Sequence, residues 1–322
     1  MTLAGSPGRF EARLVPEAGF EFDSFEIGGL PRRPGVAQVR AAMRAAGAVR
    51  DCRQILKRRR PDVVLGGGGY VAGPMVLAAA GQRIPAALME ADAHLGLANR
   101  LAAPLAIRVF LSFPIPGRNG AKYRVTGRPI PSGSRVTLSK EEARERFFFE
   151  AEPVLLVFGG SQGASSLNEL AVESFGAVGP QVLHLSGERD FRALAARVSR
   201  PGYRLLPFVP ELGAAYAAAD LVLARAGGSV WEVAAAARPA ILVPYPFATG
   251  DHQTKNARYF ERAGGAVTVP ESDLGHVPEL ARSLLGDPAR LGEMGATMGR
   301  LARPGAADEI AEELIALATA GR

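Results

Sequence analysis

With 322 residues, 48% hydrophobic and 22% charged, the chain is globular rather than disordered and long enough for two domains of ordinary size. One cysteine, Cys52, excludes an intramolecular disulfide framework, and no second thiol or Cys/His cluster suggests a zinc site; a reducing cytoplasm fits. The net charge of +6 is uneven: residues 1–135 hold 20 Lys and Arg against 9 Asp and Glu, residues 136–322 hold 18 against 23, so the first half carries a basic field suited to an anionic membrane surface or substrate.

Met1 to Phe20 lacks the basic start and apolar core of a signal peptide and carries Glu11, Arg13 and Glu17 instead. Val36 to Arg60 reads as a helix, with Val36, Val39, Met43, Ala46, Val49 and Ile55 among Arg40, Arg44, Arg50, Arg53 and Lys57. Its terminal run Lys57 to Arg60 suits either the C-terminal helix dipole or an anionic lipid surface. Aromatic residues are sparse in this basic half, with Tyr70 and Tyr123 the nearest, so base stacking and nucleic-acid binding are unsupported.

Strand-like runs follow at Asp62 to Leu65, Ala86 to Met89, Val109 to Leu111, Val154 to Phe158, Gln181 to Leu185, Leu221 to Ala224 and Ala240 to Val243, separated by helix-like segments. That alternation predicts an α/β fold with parallel sheets in two lobes, and the Gly- and Pro-rich stretch Thr126 to Ser139 marks their boundary. The longest apolar runs, Met75 to Ala80 and Ala240 to Pro246, fall short of the roughly 20 residues that span a bilayer.

Three glycine turns follow apolar strands. In PDVVLGGGGYVAGP, residues 61–74, four glycines are costly in entropy and imply close backbone approach to a ligand, an anionic substrate being preferred. Downstream, Glu90, Asp92 and His94 end a strand, and each is a candidate general base; Glu90 is the preferred one. In VLLVFGGSQGASSLNEL, residues 154–170, the turn runs into a helix whose free N–H groups suit a diphosphate, and Ser165 or Ser166 can help cap it. It is neither a Walker A loop nor a dinucleotide fingerprint. In ADLVLARAGGSVWEVAAAARPAILVP, residues 219–244, Arg225 could answer diphosphate charge and Glu232 could accept two vicinal ribose hydroxyls, while Trp231 suits the core or a lid. The polar run DHQTKN, residues 251–256, offers Gln253 and Asn256 amides to sugar hydroxyls, and its lone His/Asp pair is rejected as a metal site.

Taken in order, GGGGYVAGP, TGRP at 126–129, GGSQGASSLN, RAGGSVWEVAAAARP and DHQTKNA, with FEARLVPEAGF near the start, make the chain resemble the MurG family over nearly its whole length. The resemblance implies an α/β GT-B fold with two Rossmann-like parallel-sheet domains facing a cleft: an acceptor- and membrane-facing domain over 1–133, a UDP-sugar domain over 134–305, and a helix over 306–322, including Glu309 to Leu317, returning to the first domain. It implies inverting, metal-independent transfer of N-acetylglucosamine from UDP-GlcNAc to undecaprenyl-pyrophosphoryl-MurNAc-pentapeptide (lipid I) on the cytoplasmic membrane face, with no cofactor. Donor positions implied are Asp92, Ser161, Gln162, Gly163, Val209 through its backbone, Arg225, Gly227, Gly228, Ser229, Glu232, His252 and Gln253; acceptor positions are Gly67, Gly68, Gly69, Tyr70 and Asn99.

The chain departs from the family pattern in three places. The family's opening strand and GGTGGH turn are expected to fall before Met1, leaving an unpaired edge or gap in the first sheet; HEQN reads MEAD at Met89 to Asp92; and the RAGGS turn is about one residue short. Two alternatives share the donor motifs: transfer to another lipid acceptor such as diacylglycerol, and a UDP-sugar-binding protein with impaired catalysis.

Overall fold

The computed structural model describes residues 1–28, 36–150, 152–160 and 163–320, excluding the side chains of 36–42. The chain divides into two compact units, Met1–Thr126 with Asp308–Arg322, and Gly127–Ala307.

The first unit contains β1 (Thr2–Gly5), α1 (Glu11–Glu17), β2 (Glu21–Ser24), α2 (Val36–Arg59), β3 (Val64–Gly66), α3 (Gly69–Ala80), β4 (Ala86–Glu90), α4 (Leu97–Ala102), β5 (Arg108–Leu111) and β6 (Tyr123–Val125). Strands β3, β4, β5 and β6 pair in that order, all parallel, as helical crossovers require. Among the described residues β1 pairs only with β2, so this unit holds two separate parallel sheets. The core joins Leu88, Val109 and Leu111 of the sheet to Val76 and Ala79 of α3 and to Cys52 and Leu56 of α2. Two of the cations considered for a lipid surface are occupied: Arg58 and Arg59 bond Asp23 at 2.6 and 2.8 Å, and Arg59 also bonds Glu21 at 2.8 Å. These bonds fasten the end of α2 to β2, and the Arg59 hydrogen bond in particular holds the Asp23 carboxyl below its ordinary range despite desolvation.

The second unit contains α5 (Lys140–Arg146), β7 (Val154–Phe158), α6 (Ser165–Phe175), β8 (Gln181–Leu185), α7 (Glu188–Ala195), β9 (Tyr203–Leu206), α8 (Leu212–Ala218), β10 (Leu221–Ala224), α9 (Val230–Ala235), β11 (Ala240–Leu242), α10 (His252–Arg262), β12 (Ala266–Thr268), α11 (Val277–Leu285) and α12 (Pro288–Leu301). Helix α5 starts at a capping box: Ser139 accepts from Glu142 N, and the Glu142 carboxylate accepts from Ser139 N at 2.8 Å. Six parallel strands run β12-β11-β10-β7-β8-β9. Strands β7 to β9 extend the sheet in one direction, then the chain returns to place β10 on the other side of β7. That reversal is a topological switch point, where open α/β sheets form a crevice beyond their carboxyl ends. Strands β7 and β10 end level, Phe158 opposite Ala224, so the turns after them stand side by side. Their apolar runs are continuous because central parallel strands are covered on both faces. Trp231, 1% exposed, packs edge-on against Phe260 and belongs to the core.

The last helix, α13 (Ala306–Ala320), places Ile310, Leu314 and Leu317 against Ala87 and Phe110 of the first unit. Glu313 bonds Arg108 at 3.2 Å and lies 3.3 Å from Arg124. Glu309 to Leu317 lie within this helix.

Candidate active site

At the switch point of the second unit, the turn after β7 has Gly160 at φ +85° and Gly163 at φ +70°. Gly163 N donates to Gly160 O at 2.9 Å, closing the turn. A methyl group on Gly163 would lie 2.8 Å from Ser186 O, and one on Gly159 would meet Ala164. Glycine is required at both positions by contact, and at Gly163 by backbone angle as well. Ser161 and Gln162 lie outside the described residues. Helix α6 has Ala164 as its N-cap residue, without a side-chain cap. The capping expected of Ser165 or Ser166 is replaced by longer-range bonds, since Ser165 donates to Asp190 at 3.0 Å and Ser166 accepts from Arg225 at 2.9 Å.

Beneath this turn runs a buried polar chain. His184 bonds Tyr203 OH at 2.8 Å and Asn168 Oδ1 at 3.0 Å; Asn168 Nδ2 donates to Ser186 O and to Asp190, each at 2.9 Å. Burial lowers the His184 pKa to about 4, so the ring is neutral. The Arg189 hydrogen bond leads the causes that lower Asp190 to about 2.

On the neighbouring turn Arg225 is enclosed by protein partners. Arg225 is 8% exposed, and its guanidinium is held by both Glu271 oxygens, the Val243 and Pro244 carbonyls and Ser166. Burial pushes the Glu271 carboxyl up, but hydrogen bonds from Arg225 and Ser166 and the Arg225 charge outweigh it, leaving a lowered pKa. Paired in this way, Arg225 braces the turn against Glu271 and the Val243 and Pro244 carbonyls.

Glu232, near the start of α9, keeps an available oxygen. Ser134 Oγ donates to its Oε2 at 2.7 Å and Tyr216 OH to the same atom at 3.4 Å, leaving Oε1 without a partner among the described residues. Burial, followed by the Glu232 charge, raises Tyr216 well above the ordinary phenol value, so it stays a donor. Gln253 accepts from Tyr245 N at 2.9 Å through Oε1, while its Nε2 lies 4.0 Å from where a Gly227 methyl would sit. His252 bonds Thr249 O at 2.8 Å. Asn256, expected to face sugar hydroxyls, is instead wholly buried with Nδ2 on Ala226 O, tying α10 to the turn. Gly227, Gly228 and Ser229 are all partly exposed, and Val209 is buried in the loop after β9.

The segment after Thr126 also enters this site, although the sequence marks it only as a boundary that opens on the TGRP motif. A methyl on Gly133 would lie 3.0 Å from Pro210 O, Ser134 reaches Glu232, and the Arg128 guanidinium lies against Gly228. The TGRP motif was the available signal for Arg128; no local pattern announced Ser134.

In the first unit, the turn after β3 places Gly67 in a loop, Gly68 at φ +98° and Gly69 at φ +66° at the start of α3. A Gly68 methyl would lie 3.3 Å from Met89 O and 3.8 Å from Asn99 Nδ2, so the turn and the loop after β4 are neighbours. Tyr70 carries the Arg9 guanidinium 5.8 Å above its ring centre. Glu90, the preferred base, is 6% exposed with both oxygens in use: Oε1 accepts from Asp92 N at 3.2 Å, and Oε2 from Gly96 N and Asn99 Nδ2, each at 2.9 Å. A buried carboxylate that accepts these three bonds anchors the loop after β4. Asn99, 2% exposed, also donates to Met89 O at 3.0 Å, while its Oδ1 is buried without a partner among the described residues. Asp92 is half-buried in the same loop.

Residues 2–111 match the glycosyltransferase family 28 N-terminal domain and residues 154–310 its C-terminal domain. A Halothermothrix orenii protein is 37% identical over 320 residues, covering 93% of this chain and 86% of its own. One from Halorhodospira halophila is 42% identical over 317 residues, covering 95% and 87%. Both are named UDP-N-acetylglucosamine--N-acetylmuramyl-(pentapeptide) pyrophosphoryl-undecaprenol N-acetylglucosamine transferase. Among solved structures, Acinetobacter baumannii MurG is similar with TM-score 0.77 and 29% identity, covering 97% of this chain and 90% of that one. The calicheamicin glycosyltransferase CalG4, with TM-score 0.66, 17% identity and coverage of 98% and 90%, shares the fold.

Proposed function

The chain belongs to glycosyltransferase family 28 and, within it, to the MurG family, and from that premise we propose that it transfers N-acetylglucosamine from UDP-GlcNAc to lipid I, giving lipid II for peptidoglycan synthesis. The observation that carries this reading is the pair of level glycine turns at the switch point, flanked by the open Glu232 Oε1 and the Gln253 amide. A diphosphate there meets the free N–H groups of α6, the ribose diol meets Glu232, and the sugar meets Gln253.

The reaction is an inverting displacement. The acceptor hydroxyl oxygen bonds to the anomeric carbon as the bond to the diphosphate breaks; its proton passes to a base and UDP leaves. Backbone donors at the first turn of α6 stabilise charge developing on the leaving diphosphate. UDP-GlcNAc is a substrate, and no resident cofactor is required.

The enzyme works at the cytoplasmic membrane face. Among the described residues no helix is long and apolar enough to cross a membrane. Leu97 and Leu101 are 50% and 64% exposed on one face of α4, followed by Leu105 and Ile107 at 42% and 45%, with exposed Arg100 among them. Apolar side chains beside a cation suit the headgroup boundary of an anionic bilayer.

The test is mass-spectrometric detection of UDP and lipid II from UDP-GlcNAc and lipid I in anionic vesicles. Product with diacylglycerol and none with lipid I would instead select the alternative acceptor; tight UDP-GlcNAc binding without either product would select a binding protein.

A further inference from the structure

We infer that Arg128 supplies the cationic contact to the donor's diphosphate; this rests on the donor-site reading above. Beyond β7 and β10 the two turns offer backbone donors, but a diphosphate also calls for a positive side chain. Arg225 is locked to Glu271, and Arg189 is bound to Asp190 and Ser165. Arg128 is partly buried, and its guanidinium makes no hydrogen bond or ion pair with any described residue. It lies over Gly228, where a methyl group would come within 2.8 Å of Nη2 and closer still to Nη1 and Cζ. Gly228 therefore makes room for this guanidinium.

Two features hold Arg128 there. Gly127, at φ +83°, packs so closely on Arg303 that a methyl would lie 2.6 Å from its Cβ. Pro129 fixes the following backbone torsion, and Ile130 is buried at 8% exposure. The side chain leaves a braced backbone and presents a planar donor fork to the turn after β10, which borders the switch-point crevice. That fork suits paired phosphate oxygens.

The test compares UDP with uridine by calorimetry, without acceptor, in the wild type and Arg128→Ala. The expected result is at least a tenfold loss of UDP affinity with uridine affinity unchanged, the uridine titration also confirming an intact fold. Equal UDP affinity in the two proteins would overturn the assignment while leaving the donor site standing. So would a raised KM for lipid I with UDP affinity unchanged, which would place the guanidinium on the acceptor's pyrophosphate. A wild type that bound neither UDP nor uridine would sink the donor-site reading and the Arg128 assignment together.

Discussion

Ser134 Oγ and Glu232 Oε2, 98 residues apart in sequence, meet at 2.7 Å, so a hydroxyl from the segment after Thr126 sets the angle of the carboxylate assigned to the ribose. Ser134→Ala removes that restraint while leaving Tyr216 on the same oxygen. For one hydrogen bond to a partly solvated charge the loss is about 1 kcal/mol, hence about fivefold in UDP affinity. Calorimetric titration with UDP and 2′-deoxy-UDP should show the preference for ribose shrinking in the variant. An unchanged preference would remove Ser134 from any orienting role.

The Glu90 and Asn99 pair is expected to behave as a unit. Glu90→Gln places a donor among groups that already donate, and Asn99→Ala withdraws a donor from a buried carboxylate. Each should cost about 1–3 kcal/mol in urea denaturation. The double variant should cost clearly less than the sum, because the second change removes an interaction already broken. Additive losses would show that the two side chains act separately.

The buried imidazole makes stability depend on pH. His184, facing Tyr203 and Asn168, has a pKa of about 4 in the folded chain against 6.5 ordinarily. The unfolded state therefore binds more protons between these values, so this contribution is complete above pH 6.5 and is lost as pH falls toward 4. The loss is about 3 kcal/mol by linkage. His184→Gln keeps polar contacts but does not titrate, and should flatten this part of the stability profile in denaturation at pH 7, 5.5 and 4. Parallel profiles would contradict it.

Gly163→Ala tests the turn itself. With φ at +70° and Ser186 O in the way, alanine should cost about 2 kcal/mol in stability and more than tenfold in UDP affinity. Thermal melting and calorimetry read the two effects separately. Unaltered UDP affinity would place the diphosphate away from this turn.

The central strands were legible because they are apolar throughout: Val154–Phe158, Gln181–Leu185 and Leu221–Ala224 fall where the sequence predicts them. The strands that escaped notice include Glu21–Ser24, Tyr123–Val125, Tyr203–Leu206 and Ala266–Thr268, each with a free flank in its sheet. An edge strand is covered on fewer sides, tolerates Arg124, Arg204 or Thr268, and so breaks the apolar run that signals a strand. The same logic divides the site. Gly163 and Gly68 are readable because backbone angle demands glycine locally. Arg225 and Glu90 were visible as charges at strand ends, but their roles depend on Glu271 and on Gly96 with Asn99, and no local pattern pairs them.

The helix Ala306–Ala320 also dictates an order of events during synthesis. The second unit is covalently complete at Ala307, whereas the first needs Ile310, Leu314 and Leu317 to cover Ala87 and Phe110. A ribosome therefore releases every residue of the later unit before the earlier one can close its surface. The usual amino-to-carboxyl sequence of domain completion is inverted, and a chaperone binding apolar surface on the nascent chain would find it on the half made first.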